Sequence, residues 1–185
     1  MTKVSSLFAT LLAEQQKANA SLPPVDKWNP SFCGDMDLLI QRDGTWLHEG
    51  SAIRRPELVK LFSTVLKREG DDYYLVTPVE KLRIRVECAP FLLVEVERKQ
   101  EAGGEALYFT ANTGDHVVAG PENPIWMEPS QSGEELLPYI RVRSNLPGLL
   151  SRTVYYQLAD WAQAGECDGR SCHGVVSLGQ FFPLE

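Results

Sequence analysis

Lys81-Leu82-Arg83-Ile84-Arg85-Val86 alternates strictly between charged and apolar residues. That is the period-two pattern of a strand with one face in a core and one in water. Upstream, Tyr73 to Val76 reads as a strand. Downstream, Ala89-Pro90 interrupts the chain before a strand over Phe91 to Lys99, and Gly103-Gly104 turns it into Leu107 to Ala111. Short apolar segments around Val117 and Ile125 to Met127 continue what reads as a β meander. Tyr139 to Arg143 alternates again and repeats Ile-Arg-Val at Ile140-Arg141-Val142, while Leu146 to Leu150, with its Pro and Gly, reads as a connection.

Helical spacing frames this meander. Leu7, Phe8, Leu11 and Leu12 predict a docking helix over residues 5–20. Pro56 opens a second helix whose apolar face runs from Leu58 to Leu66 and ends at Gly70. A third, long helix is expected from Arg152 to Ala164, followed by short strands at Val175 to Leu178 and Phe181-Phe182. Near the start, Met36 to Gln41, the turn residues Asp43-Gly44 and Trp46 to His48 form a hairpin pattern. A strand–helix–strand order thus occurs twice, around the helix that closes at Gly70 and around the helix that opens at Arg152. The expected fold class is α+β: two small domains, residues 1–80 with the leading helix and residues 81–185 rich in β-structure.

Composition excludes several classes. Hydrophobic residues make up 43% and charged residues 23%, an ordinary globular mixture. A net charge of −7 argues against sequence-independent binding to DNA, which rests on Lys and Arg neutralising phosphates. Without an apolar run long enough to span a bilayer or a secretory signal, the expectation is a cytoplasmic protein with no membrane partner, reduced thiols and no structural disulfide. Cys167-x4-Cys172-His173 is a loop pattern lacking the ligand count of a zinc site, so no metal and no cofactor are expected. No nucleophile elbow, P-loop or dinucleotide motif occurs, and Asp115-His116 and Glu134-Glu135 read as surface turns. The chain therefore reads as non-enzymatic, with His48 beside Glu80 or Glu49 the sole acid–base pairing worth testing.

Basic residues concentrate in the middle of the chain. Residues 51–100 hold ten Lys/Arg against eight Asp/Glu, and residues 101–185 hold four against eleven. Arg85 and Arg141 on the two Ile-Arg-Val strands, with Arg54 nearby, could grip phosphate or carboxylate oxygens through their forked guanidinium groups. The competing reading is a solvated face on which Glu95 and Glu97 sit opposite Arg85 and Arg83 in a hairpin closed at Ala89-Pro90. Trp46, His48, Arg54, Thr77, Glu80 and Phe91 cluster at strand ends, where binding groups often sit, though Trp46 and Phe91 also suit a core.

Asp43-Gly44-Thr45-Trp46, His48-Glu49-Gly50-Ser51, Arg55, Leu61-Phe62, Thr77-Pro78, Glu80-Lys81 and Ala89-Pro90-Phe91, followed by Pro138-Tyr139, Val142-Arg143 and Arg152, together resemble the bacterial family of unknown function numbered 1285. The resemblance runs from about Gly34 to Phe182. It implies a duplicated motif, two small α+β domains and a C-terminal half similar to the pleckstrin-homology barrel. It also implies a ligand site at the domain interface for a nucleotide-like molecule, and a part in signal transduction. The positions it carries over are Trp46, His48, Thr77, Glu80, Lys81, Arg143 and Arg152. The function expected is a binding or sensory module for a small anionic ligand, with a protein-interaction adaptor acting through the barrel-like half as the alternative.

Overall fold

The computed structural model describes residues 9–11, 13 and 22–185. The helix expected over residues 5–20 lies, but for those few positions, outside the described residues. The chain divides into two compact units, Met1–Glu87 and Cys88–Glu185. Both are mostly β-structure.

The first unit is built on a six-stranded sheet. Its strands are β1 (Phe32–Ile40), β2 (Trp46–His48), β3 (Ser51–Ala52), β4 (Leu66–Glu69), β5 (Asp72–Val76) and β6 (Lys81–Val86), in the order β3-β2-β1-β6-β5-β4. The β1–β2 hairpin forms as expected. Gly44 sits at a φ of 84°, a conformation its missing Cβ makes cheap, and Ile40 lies opposite Trp46. β6 pairs in parallel with β1 and antiparallel with β5, so it occupies the sheet's interior and falls inside the first unit, past the boundary at residue 80. Helix α1 (Pro56–Ser63) buries Leu61 and Phe62.

α1 ends well short of Gly70. Residues 66–69 form β4 instead, closing a hairpin with β5 through Gly70, whose φ is 59°. A positive-φ glycine serves a helix end and a hairpin turn equally, and here cross-strand pairing prevails.

The second unit carries another six-stranded sheet, made of β7 (Phe91–Glu101), β8 (Gly104–Ala111), β9 (His116–Val118), β10 (Ile125–Pro129), β11 (Leu136–Arg143) and β12 (Leu146–Leu150), ordered β10-β11-β12-β7-β8-β9. The presumed connection at residues 146–150 is therefore the strand β12, buried at every position. It pairs antiparallel with β11 and in parallel with β7. Tyr139 stacks on Trp126 at 5.7 Å in a small cluster with Ala89, Leu137 and Leu149.

Helix α2 (Arg152–Asp160) is capped by the Ser151 hydroxyl, which accepts from the Val154 N–H at 3.3 Å. It stops at Asp160, short of the expected Ala164. Residues 163–167 instead begin a three-stranded antiparallel sheet of β13 (Gln163–Cys167), β14 (Arg170–Ser177) and β15 (Gln180–Pro183). Ser177 fastens this sheet to the larger one: its hydroxyl donates to the Ala119 carbonyl at 2.7 Å and accepts from the Leu107 N–H at 2.9 Å. Cys167 and Cys172 are joined in a disulfide, against the expectation of reduced loop thiols. The hairpin puts them on one face as diagonal neighbours, with their Cα atoms 6.0 Å apart. In both units a helix is followed by three antiparallel strands.

Candidate functional site

The site begins with the alternation of β6. Leu82 and Ile84 turn into the core at 2% and 4% exposure, and Lys81, Arg83 and Arg85 turn outward. β1 sets Asp35 level with Arg83, then bulges before Leu39 pairs with Arg85, so that Asp37 lies on the bulge. Arg83 Nε donates to Asp35 Oδ1 at 2.6 Å, and its Nη1 lies 3.9 Å from Asp72 Oδ2. Arg85 Nη2 donates to Asp37 Oδ1 at 2.5 Å. Around these pairs opens a groove of about 710 Å³, walled by Asp35, Asp37, Asp71, Asp72, Arg83 and Arg85.

One end of this strand face is aromatic. The Arg83 guanidinium stands 5.7 Å over the Phe32 ring and Lys81 Nζ 4.5 Å over Tyr74, while the two rings meet edge-on at 6.4 Å. Lys81 also pairs with Glu69, and that hydrogen bond holds the Glu69 carboxyl below the usual carboxylate range. The Asp35 carboxylate in turn raises Arg83, keeping its guanidinium charged.

The remaining expected residues of the first unit scatter. Trp46 is 1% exposed and belongs to the core. His48 is half-buried in β2 opposite Leu38, and Arg54 is exposed just ahead of α1. Thr77 is buried, its hydroxyl accepting from the Glu80 N–H at 3.0 Å, which shapes the turn into β6. Glu80 is half-buried there, with its carbonyl accepting from the Thr77 N–H. Of the expected residues, Arg85 lines the groove; Lys81 stands on the same strand face.

In the second unit Phe91 is 1% exposed, and the Arg143 guanidinium lies 4.9 Å over its ring. Arg143 pairs with Asp115, which also accepts from the Thr113 hydroxyl at 2.5 Å. Burial pushes the Arg143 guanidinium down, opposed by the Asp115 charge. Arg141 is exposed, separated from Arg143 by a shift in the β11–β12 register, and Arg152 is exposed in the first turn of α2.

The expected ion pairs from Arg83 and Arg85 to Glu97 and Glu95 do not form. Ala89-Pro90 stands at the start of the second unit instead of closing a hairpin, and β6 has β1 and β5 as neighbours. Glu97 Oε2 meets Lys99 Nζ at 2.9 Å along its own strand. The aspartates that do face the arginines went unseen in the sequence, because Asp35 and Arg83 are 48 residues apart. Among the described residues no cluster of His, Cys, Asp and Glu could hold a metal, and no helix is long and apolar enough to cross a membrane.

Family models fit both units. Residues 23–89 match the N-terminal domain of DUF1285, described as a domain of unknown function, and residues 90–184 match the C-terminal domain of the same family. The chain belongs to the DUF1285 family. A crystal structure of a DUF1285 protein from Silicibacter pomeroyi DSS-3 is 45% identical over 96% of this chain and 93% of that one, with a TM-score of 0.84. A second DUF1285 crystal structure, from Shewanella baltica OS155, is 27% identical over 68% of this chain and 91% of that one, with a TM-score of 0.53. No curated protein matches the chain. The boundary between the two DUF1285 models, at residues 89 and 90, falls within a few residues of the division between the compact units.

Proposed function

We propose that this DUF1285 protein is a non-enzymatic ligand-binding module, and that the groove on β1, β5 and β6 takes a small ligand carrying an anionic group. The observation that carries the reading is the pair of exposed Arg–Asp contacts along an open groove, Arg83 with Asp35 and Arg85 with Asp37. Exposed ion pairs contribute little to stability, so a ligand carboxylate or phosphate can exchange for an aspartate at small cost. The groove volume lies within the range of roughly 300–1,000 Å³ usual for small-molecule sites. Four aspartates against two arginines disfavour a bare polyanion. They favour a ligand that sets a cationic group beside its anionic one, as an amino acid or short peptide does.

Thermal-shift and calorimetric titration against amino acids, dipeptides, nucleotides and polyamines tests this. A ligand at a hundred times its Kd adds about 2.7 kcal/mol, a rise of roughly 5–10 °C for a chain of this size. The rise is expected with a zwitterionic ligand, lost in Arg85→Ala and retained in Arg141→Ala. Equal responses from wild type and Arg85→Ala would remove the groove as the site, and silence across all four classes would remove the function. Where a ligand does bind, a role in signal transduction would rest on what that ligand reports.

A further inference from the structure

We infer that the Cys167–Cys172 bridge is a thiol–disulfide exchange site, opened in the folded protein by a dithiol that attacks the Cys167 sulfur. Three features lead there. The β13–β14 hairpin closes without help from the bridge: Asp168 and Gly169, at φ 50° and 76°, make the two-residue turn, and the ladder runs from Gln163 opposite Gly174 to Cys167 opposite Arg170. Breaking the bridge therefore leaves the strands paired.

The two sulfurs also differ in access. Cys167 is half-buried, whereas Cys172 is 6% exposed. The Phe181 ring lies on the face that carries Cys172. A Cβ on Gly165, directly opposite Cys172, would meet the Phe181 ring at 2.4 Å, and one on Gly174, two residues further along the same face, would meet it at 2.7 Å. Both glycines leave room for a ring that lies against the strands beside Cys172.

Exchange requires an attacking thiolate to reach one sulfur while the other leaves. Access selects the direction. A thiolate of the dithiol bonds to the Cys167 sulfur, the bridge breaks, and Cys172 departs as a thiolate that takes a proton. The second thiol of the reagent then attacks the reagent's own sulfur in the mixed disulfide, closes a cyclic disulfide and releases Cys167. Two electrons and two protons pass from the dithiol to the bridge. The reagent class is a dithiol, from dithiothreitol to a dithiol oxidoreductase.

The test uses the full chain as Cys33→Ala/Cys88→Ala, purified without reductant. Thiol counting in denaturant should find none before treatment and two after dithiothreitol is applied under native conditions, with the far-UV circular dichroism unchanged. Alkylation of the reduced native protein, read by mass spectrometry, should label Cys167 several-fold faster than Cys172, the less exposed of the two. Should that variant fail to fold, the wild type should count two thiols before and four after. Two thiols in the untreated variant, reduction only where denaturant unfolds the chain, or equal labelling of the two sulfurs would each overturn the proposal.

Discussion

Gly148 sits where a single methyl group has nowhere to go. A Cβ there would lie 2.2 Å from Leu93 Cδ2 and 2.8 Å from Val142 Cγ2, in the strand β12 that is buried at every position. Gly148→Ala should therefore destabilise the protein by about 1–3 kcal/mol through overpacking, measured as a fall in the urea midpoint at unchanged slope. A midpoint equal to wild type would mean that the Leu93 side chain yields freely. Glu69 makes the opposite kind of contribution, one that acidity removes. Its carboxyl is held below the usual range by the Lys81 hydrogen bond, so folding favours the ionised form. The contribution is fully present above the ordinary glutamate pKa of about 4.3 and fades as the pH falls through the lower folded value. Glu69→Gln should thus be less stable than wild type at pH 7, and the gap should close on acidification below about pH 4.3. A gap that stays constant from neutral to acid solution would show that the pair does no electrostatic work.

At the scale of elements, legibility followed how far each segment's pattern depends on its distant neighbours. β6 was plain because one face is dry and the other wet, and the alternation records both. β12 was hidden because burial on both sides erases alternation, leaving Leu146 to Leu150 as a short apolar run in which Pro147 and Gly148 resemble a loop. The helical apolar spacing runs on past the end of α1 through Val65 and Leu66, although Leu66 already belongs to the β4–β5 hairpin and the Val65 carbonyl accepts from the Val76 N–H. β13 offered no apolar period at all, since Gln163, Ala164 and Glu166 are exposed. The candidate groove shows the same division. Arg83 and Arg85 announced themselves through their own strand, whereas Asp35 and Asp37 acquire meaning from a parallel pairing between β1 and β6 that bridges 48 residues. Local chemistry reveals which groups are charged, and topology decides which charges meet.

For the molecule as a whole, the position of β6 makes the domain boundary testable. In the first sheet β6 separates β1 from β5, supplying Leu82 and Ile84 to the core and one hydrogen-bonded ladder to each neighbour. Without it, β1 with β2 and the two-residue β3 on one side and the β4–β5 hairpin on the other have no common partner, and an isolated two-stranded hairpin is marginal in water. A fragment of residues 1–87 should retain the sheet, and a fragment ending at residue 80 should not. The longer fragment should show a cooperative thermal transition and well-dispersed amide resonances, and the shorter one neither. The comparison is informative because the two differ by only the seven residues Lys81 to Glu87. Equal dispersion and equal melting in both would show that β6 is not the strand that unites the first sheet. The groove formed by its outer face would then lose the element that places Arg83 and Arg85 beside Asp35 and Asp37.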